Sequence, residues 1–400
     1  MRAIARESVA LELRSIDRMR RLFWLVATVV LVDTMFFAAV APLLPRYQTE
    51  LGLSKTAAGI LTAAYPAGTF AGALPAGWLA IRWGVKKTLL LGLAMLGLAS
   101  VGFAFAGHVV LLDAARFVQG VGGACMWAAG MAWLVTVSPP ERRGQMIGSA
   151  LGAAIVGVLL GPVLGGAASV LGPEAVFSSV AVVAVILAAW AWSMPTAEPE
   201  ESPGIGAMLR ALRRRPVLLG FWLFTIPALF SGVIGVLAPL HMADLGADGT
   251  TIGTMFLLAA AVEAVLSPVA GRISDRTGRI APIRLGLVGA IVAAIVLPLP
   301  HTVLLSGLTV AFAFAALATF WAPGMALLSD AAEAAGLDLA LAFSISNLAW
   351  AVGQVVGSGL GGAVADATSD AVPYAALAVA CAVTLVGLSV GVRRRRATRP

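Results

Sequence analysis

Chemistry in this sequence falls to a few charges set inside long apolar runs. Asp33 lies in LVDTMFFAAVAPLLPRY, Arg116 in RFVQGVGGA and Glu263 in LLAAAVEAVLSP. A charge within a hydrocarbon-spanning helix costs about 2.5–3.5 kcal/mol on insertion scales, so each marks a functional candidate. A carboxylate there can take up and release a proton, or face a cation. Burial favours the neutral acid and a nearby guanidinium favours the carboxylate. The balance decides whether Asp33 cycles protons or forms a permanent pair with Arg116 that merely fixes two helices.

Spacing places these groups together. Asp33 lies about 16 Å into its span at 1.5 Å per residue, and Arg116 about 11–12 Å from the other side. In a core of about 30 Å those depths nearly coincide. Glu263 also falls near the middle of its span, and its counterpart in the first half of the chain is near Thr69. Arg116, Gln119, Gly120, Gly123 and Trp127 share one helical face. Such a face suits a cavity wall, or a packing face carrying one snorkelling Arg. Asn347, Trp350 and Gln354 form a similar stripe, where amides serve equally well as interhelical hydrogen bonds. Asp33 shares its stripe with Phe36, Phe37 and Val40, so that an acid ringed by aromatics can hold a lipophilic cation, though such a Phe stripe is also ordinary core.

Other chemistries have no footing. The cysteines, Cys125 and Cys381, both fall within apolar runs, which argues against a disulfide framework. His108, His241 and His301 lack metal-ligand spacing, so no metal or cofactor is expected. No nucleophile–base constellation points to an enzyme.

The elements that position these groups are membrane helices. The chain of 400 residues is 60% hydrophobic and 12% charged, and its mean hydropathy is +0.95. Spans are expected near 22–45, 57–80, 88–106, 109–136, 145–170, 174–194, 217–240, 251–271, 282–299, 302–329, 339–365 and 371–392. Of 27 Lys and Arg, 24 fall on the side of the termini and only Arg46 and Lys55 on the other, with Arg116 inside a span. This places both termini in the cytoplasm. It also accounts for a net charge of +7 without nucleic acid. The first span reads as uncleaved, because its apolar run is too long for a signal peptide.

The chain is a duplication. GWLAIRWGVKKTLLLG (77–92) and GRISDRTGRIAPIRLG (271–286) agree at Gly77/Gly271, Arg82/Arg276 and Gly84/Gly278, but Ile81 stands opposite Asp275. VAPLLPRY matches LAPLHMAD, GMAWL matches GMALL, and GVLLGPVLGG matches GQVVGSGLGG, at offsets of 194 to 197. The expected organisation is an N-terminal segment 1–21, a six-helix half 22–194, a cytoplasmic linker 195–216, a second half 217–392 and a basic tail 393–400. Six spans per unit give parallel repeats that face each other across a cavity near the midplane. The linker, rich in Pro, Glu and Arg, reads as mobile and solvated.

These motifs resemble the major facilitator superfamily, in its twelve-helix drug:proton antiporter branch. The resemblance rests on GWLAIRWGVKK, GRISDRTGR, RFVQGVGGA and GVLLGPVLGG. The first span is similar to the opening helix of vesicular amine transporters and bacterial multidrug exporters. It implies an all-α membrane protein of twelve helices in two parallel-repeat halves. It implies that Asp33 meets substrate or proton, that Arg116 serves proton coupling, and that the glycine–proline pattern marks an exporter. It also implies that the fifth span meets the eighth. In the fifth span Gly157, Gly161 and Gly165 recur every four residues beside Pro162 and Gly166, a seam for close packing and rocking.

Gates are expected at the cytoplasmic turns. Asp275, beside Arg276 and Arg279, can cap the start of the fifth span. On the other side Lys86 and Lys87 are expected to pair with Asp330, Glu333 and Asp338, replacing the carboxylate missing at Ile81. The function expected is proton-coupled export of small lipophilic, cationic compounds from a monomer in the inner membrane, powered by the proton gradient. The alternatives are export of a sugar or neutral metabolite, with Asp33 and Arg116 structural, and a transport-inactive sensor. A sensor would carry a large soluble appendage.

Overall fold

The computed structural model describes residues 2–139, 143–196, 205–337 and 339–397 and is almost wholly helical. The first span is built from α1 (Arg2–Ala38), a 3₁₀ turn (Ala41–Leu43) and α2 (Leu44–Leu51). Pro42 and Pro45 sit where the helix breaks, because each removes a backbone donor. The first half continues with α3 (Lys55–Trp83), α4 (Val85–Ala104), α5 (Val109–Val137), α6 (Arg143–Leu171) and α7 (Pro173–Ser193). After α8 (Ile205–Ala211) come α9 (Arg215–Asp244), α10 (Gly249–Thr277), α11 (Ile280–Val296), α12 (Val303–Glu333), α13 (Leu339–Ala367) and α14 (Ala371–Ala397). Among the described residues, eleven segments are long and apolar enough to cross a membrane, and Ile280–Val296 is a shorter apolar helix. The expected spans are thus all present, most of them extended by a few residues.

Turn chemistry fixes the ends. Ser54 caps α3 by accepting from the Ala57 N–H, and Asp248 caps α10 by accepting from the Thr251 N–H. The duplicated turns end on Gly84 and Gly278 at φ 89° and 88°, which explains why both copies keep glycine.

Each half packs the same way. In the first, α3 lies on α5, α1 on α6, and α4 on α5 and α7. In the second, α9 lies on α13 and α12, α10 on α12, and α11 on α12 and α14. The halves meet along two seams, α3 with α13 and α6 with α10. The linker differs from a wholly solvated segment. Met208 and Ala211 of α8 are buried in a cluster with Val217, Leu328 and Ala332, so its helical part docks on the second half. Leu209 stays exposed and Leu212 packs at the cluster's edge.

The glycine stripe of α6 meets a different neighbour from the one expected. A Cβ at Gly157 or Gly161 would overlap Thr34 or Ala38 of α1, and one at Gly165 would overlap Ala39 just beyond its end. It is the other edge of α6 that meets α10, where Gly253 lies against the Pro162 carbonyl and Gly166 near Gly249 and Thr250. The equivalent stripe on α13, Gly353, Gly357 and Gly361, lies against Thr225, Ala228, Leu229 and Val233 of α9. The glycines therefore weld each half internally, and the seams between halves use separate residues.

Candidate functional site

Asp33 is fully buried. Its Oδ2 accepts from Tyr65 Oη at 2.8 Å and from Trp127 Nε1 at 3.2 Å, while Oδ1 has no partner. Room for this arrangement comes from small residues on α5. A Cβ at Gly123 would lie 2.9 Å from Tyr65 Oη and 3.1 Å from Asp33 Oδ2. A Cβ at Gly120 would strike the Tyr65 carbonyl.

Arg116 does not pair with Asp33. Its guanidinium donates to Gln119 Oε1 at 2.5 Å, to the Phe37 carbonyl at 3.1 Å and to the Phe36 carbonyl at 3.4 Å. Those carbonyls lie just before the break between α1 and α2, where regular helix hydrogen bonding ends; the Phe36 carbonyl also accepts from the Ala39 N–H at 3.3 Å. The guanidinium also stands 5.1 Å from the Tyr65 ring. Tyr65 thus bridges acid and base, ring to cation and hydroxyl to carboxylate. The stripe of Arg116, Gln119, Gly120 and Gly123 is a packed face against α1 and α3, so the cavity-wall expectation fails for it. Only Trp127, half-buried, keeps partial exposure there. Phe36 is likewise corrected. It is buried and packs on Phe103 and Phe177 inside the first half. Phe37 instead contacts Tyr65 at 4.8 Å and Trp350 of the other half at 5.3 Å.

On α13, Trp350 reaches the Asp33 cluster, and Asn347 is half-buried two turns nearer the terminal face than Gln354. Gln354 donates to Ser231 Oγ at 3.0 Å, the interhelical bond that was the other reading of that amide. Glu263 is half-buried and accepts from Trp321 Nε1 of α12. Trp321 in turn packs edge-on against Phe224 of α9 at 5.4 Å.

The two faces of the molecule differ. On the face away from the termini the halves are joined. Lys55 Nζ lies 2.5 Å from Asp370 Oδ1, Thr56 Oγ1 donates to Asp366 at 2.7 Å, Gly59 abuts Ser358 and Gly362, and Gly249 abuts Ser169 and Pro42. On the terminal face, among the described residues, the expected locks are not made. Asp275 pairs with Arg279 at 2.6 Å and Arg279 reaches Asp330 at 3.5 Å, all within the second half. Lys86 caps the end of α7, donating to the carbonyls of Trp192 at 2.6 Å and Met194 at 2.7 Å. Lys87 is exposed and, among the described residues, pairs with neither Asp330 nor Glu333; Asp338 lies outside them. Ile81 is 63% exposed, Arg82 stacks on Trp78 of its own helix, and a Cβ at Gly77 would meet nothing. Gly271 nears only Ala322, and Arg276 is exposed. Among the described residues, no hydrogen bond or ion pair joins the two halves at the terminal face.

Sequence reasoning missed Tyr65, Trp321, Asp113 and the Lys55–Asp370 pair. Tyr65 is one of only three tyrosines in the chain, which was a usable signal. Trp321 stands 194 residues after Trp127, in register with the duplicated GMA motif. Asp113, one turn before Arg116, is half-buried with Oδ1 unpartnered.

Comparison with known proteins places the chain. A family model described as Major Facilitator Superfamily matches residues 26–302 and 224–400. The Synaptic vesicular amine transporter of Homo sapiens is 26% identical over 303 residues, covering 73% of this chain and 58% of that protein. The MFS-type transporter ppzB of Metarhizium rileyi is 33% identical over 188 residues, 44% of this chain and 39% of its own. Multidrug resistance protein 2 of Bacillus subtilis is 25% identical over 175 residues, 44% of each. The chain thus spans less than two thirds of these curated relatives. Among solved structures, a bacterial homologue of the human lysosomal transporter Spinster superposes with a TM-score of 0.73 at 15% identity, covering 93% of this chain and 95% of its own. A D-xylose-proton symporter gives 0.72 at 17%, covering 92% and 97%. Duplicated halves, matched turns, the acid in the first span and these matches converge: the chain is a multi-pass membrane protein that belongs to the major facilitator superfamily.

Proposed function

We propose that this protein is a proton-coupled antiporter that exports small lipophilic, cationic compounds from the cytoplasm by alternating access. The observation that carries the reading is Asp33, a buried carboxylate with one free oxygen and no ion pair to Arg116. A permanently paired carboxylate would be inert, whereas this one is held by a hydroxyl and an indole that tolerate either protonation state. The Phe37, Tyr65 and Trp350 rings beside it, drawn from both halves, suit the apolar body of such a compound.

With the terminal face cytoplasmic, as the positive-inside rule has it, and the two halves joined at the opposite face, we read this conformation as inward-open. Substrate enters there as a carboxylate ionises. The halves then close on the terminal side and part at the Lys55–Asp370 seam, where an external proton returns to the acid and releases the substrate. Asp33 and Glu263 are the acids, Arg116 tunes the first through Tyr65, and the chain works as a monomer in the inner membrane. The names of the amine transporter and the multidrug resistance protein support a cationic substrate.

The test is Asp33→Asn in whole cells and proteoliposomes. Resistance to lipophilic cations and substrate-induced proton release are both expected to be lost. Retention of both would overturn the reading.

A further inference from the structure

Resting on that reading, we infer that Glu263, with Trp321 and Phe224, is the station that binds the substrate's cationic centre, and that Asp33 is reserved for the proton. The two acids sit in opposite kinds of place. Asp33 has no exposed surface, is enclosed by Tyr65, Trp127 and the α5 glycines, and already has the Arg116 guanidinium behind Tyr65. An organic cation reaching it would have to displace that packing and would be repelled by Arg116. A proton needs neither space nor a cleared path.

Glu263 meets the opposite conditions. It is half-buried on α10 and bonded to Trp321 of α12, which itself packs edge-on against Phe224 of α9. Among the described residues no Lys or Arg forms an ion pair with it. A carboxylate withdrawn from water without a counter-ion costs several kcal/mol, and a cationic ligand supplies the missing charge. The Trp321 indole holds Oε1 and leaves the other oxygen free, and the half-buried Trp321 ring, backed by buried Phe224, offers a face to an apolar cation. Partly buried Phe221, Met325 and Trp350 pack against the same cluster, giving the apolar body of a substrate a surface that runs to the Asp33 side.

The experiment is equilibrium binding to the purified full chain. Tetraphenylphosphonium and ethidium are the cationic probes, triphenylphosphine oxide is the neutral one, and proton release is followed in weakly buffered solution. Glu263→Gln is expected to weaken both cations about tenfold or more and the neutral probe less than about threefold. Glu263→Asp, which keeps the charge, is expected to recover most of the loss. Asp33→Asn is expected to abolish proton release and to cost less cation affinity than Glu263→Gln. Cation affinity unchanged in Glu263→Gln, or lost mainly in Asp33→Asn, overturns the assignment while leaving the antiporter reading intact. If Glu263→Gln does not fold, Trp321→Phe serves instead, with the same selective loss of cations expected and equal loss of both probe classes counting against it. A wild-type protein that binds neither cation and releases no protons overturns the underlying reading, and the assignment with it.

Discussion

Trp127 and Trp321 stand 194 positions apart, at the same register of α5 and α12, and each donates its indole N–H to a carboxylate within the membrane. The acids themselves are not equivalent, since Asp33 comes from the first span and Glu263 from α10, the counterpart of α3. Duplication therefore preserved the donor, and the two halves placed their acids independently. An indole N–H can only donate, so in both places a carboxyl oxygen is the acceptor.

Replacing either tryptophan by Phe keeps the bulk and removes the donor. A hydrogen bond to a charged group contributes about 1.5–3 kcal/mol, so turnover should fall about tenfold or more in each variant. If the acids divide their labour, Trp127→Phe alters mainly proton release and Trp321→Phe mainly cation affinity. Initial-rate transport and binding on the same preparations check this.

The α5 glycines make a graded prediction. Gly123→Ala puts a methyl against Tyr65 Oη and the Asp33 carboxylate, and should depress transport while the protein stays folded. Gly120→Ala meets backbone, which cannot yield, and should lower thermal stability by the 1–3 kcal/mol typical of overpacking. Melting curves in detergent beside transport rates separate the two.

Lys55 and Asp370 join the halves on the face away from the termini. The pair is only partly shielded from water, so it contributes up to about 1 kcal/mol. Asp370→Asn should raise the outward-open population about twofold to fivefold, read as faster modification of a cysteine placed at Ser358. Lys55→Asp with Asp370→Lys should restore the wild-type rate.

At the duplicated turn the first half lacks the whole Asp275–Arg279 pair, because Ile81 and the buried Val85 stand in its place. Ile81→Asp can then act only on the start of α13 when the terminal face closes, an effect of about 0.3–1 kcal/mol at a helix N-terminus. Opening on that face should slow about twofold to fivefold. An unchanged reaction of cytoplasmic-side cysteine probes would exclude the effect.

Asp248 gives the pH dependence. Hydrogen bonds from the Thr251 side chain and backbone hold its carboxylate below the usual aspartate range. The cap therefore stabilises α10 in full above that range and is lost as pH falls through the lowered value. Asp248→Ala should cost about 1 kcal/mol near neutral pH and progressively less in acid, measured as the difference in melting temperature from wild type.

Much was legible in the sequence because hydrocarbon leaves few options. Runs of about 20 apolar residues must be helices, cation asymmetry orients them, and a fixed offset reveals two halves. Asp33, Arg116 and Glu263 stood out because charge is costly there. Helical periodicity, however, defines a face without naming its neighbour. That Gly157, Gly161 and Gly165 meet the first span, that Phe36 turns inward while Phe37 reaches Trp350, and that Tyr65 stands between Asp33 and Arg116 were decided by packing. The gate residues show the same limit. A sequence that serves two alternating arrangements carries the contacts of both, and only the tertiary structure selects which are made: here the seam at Lys55 and Asp370 is closed, and Lys86 is turned back onto its own half.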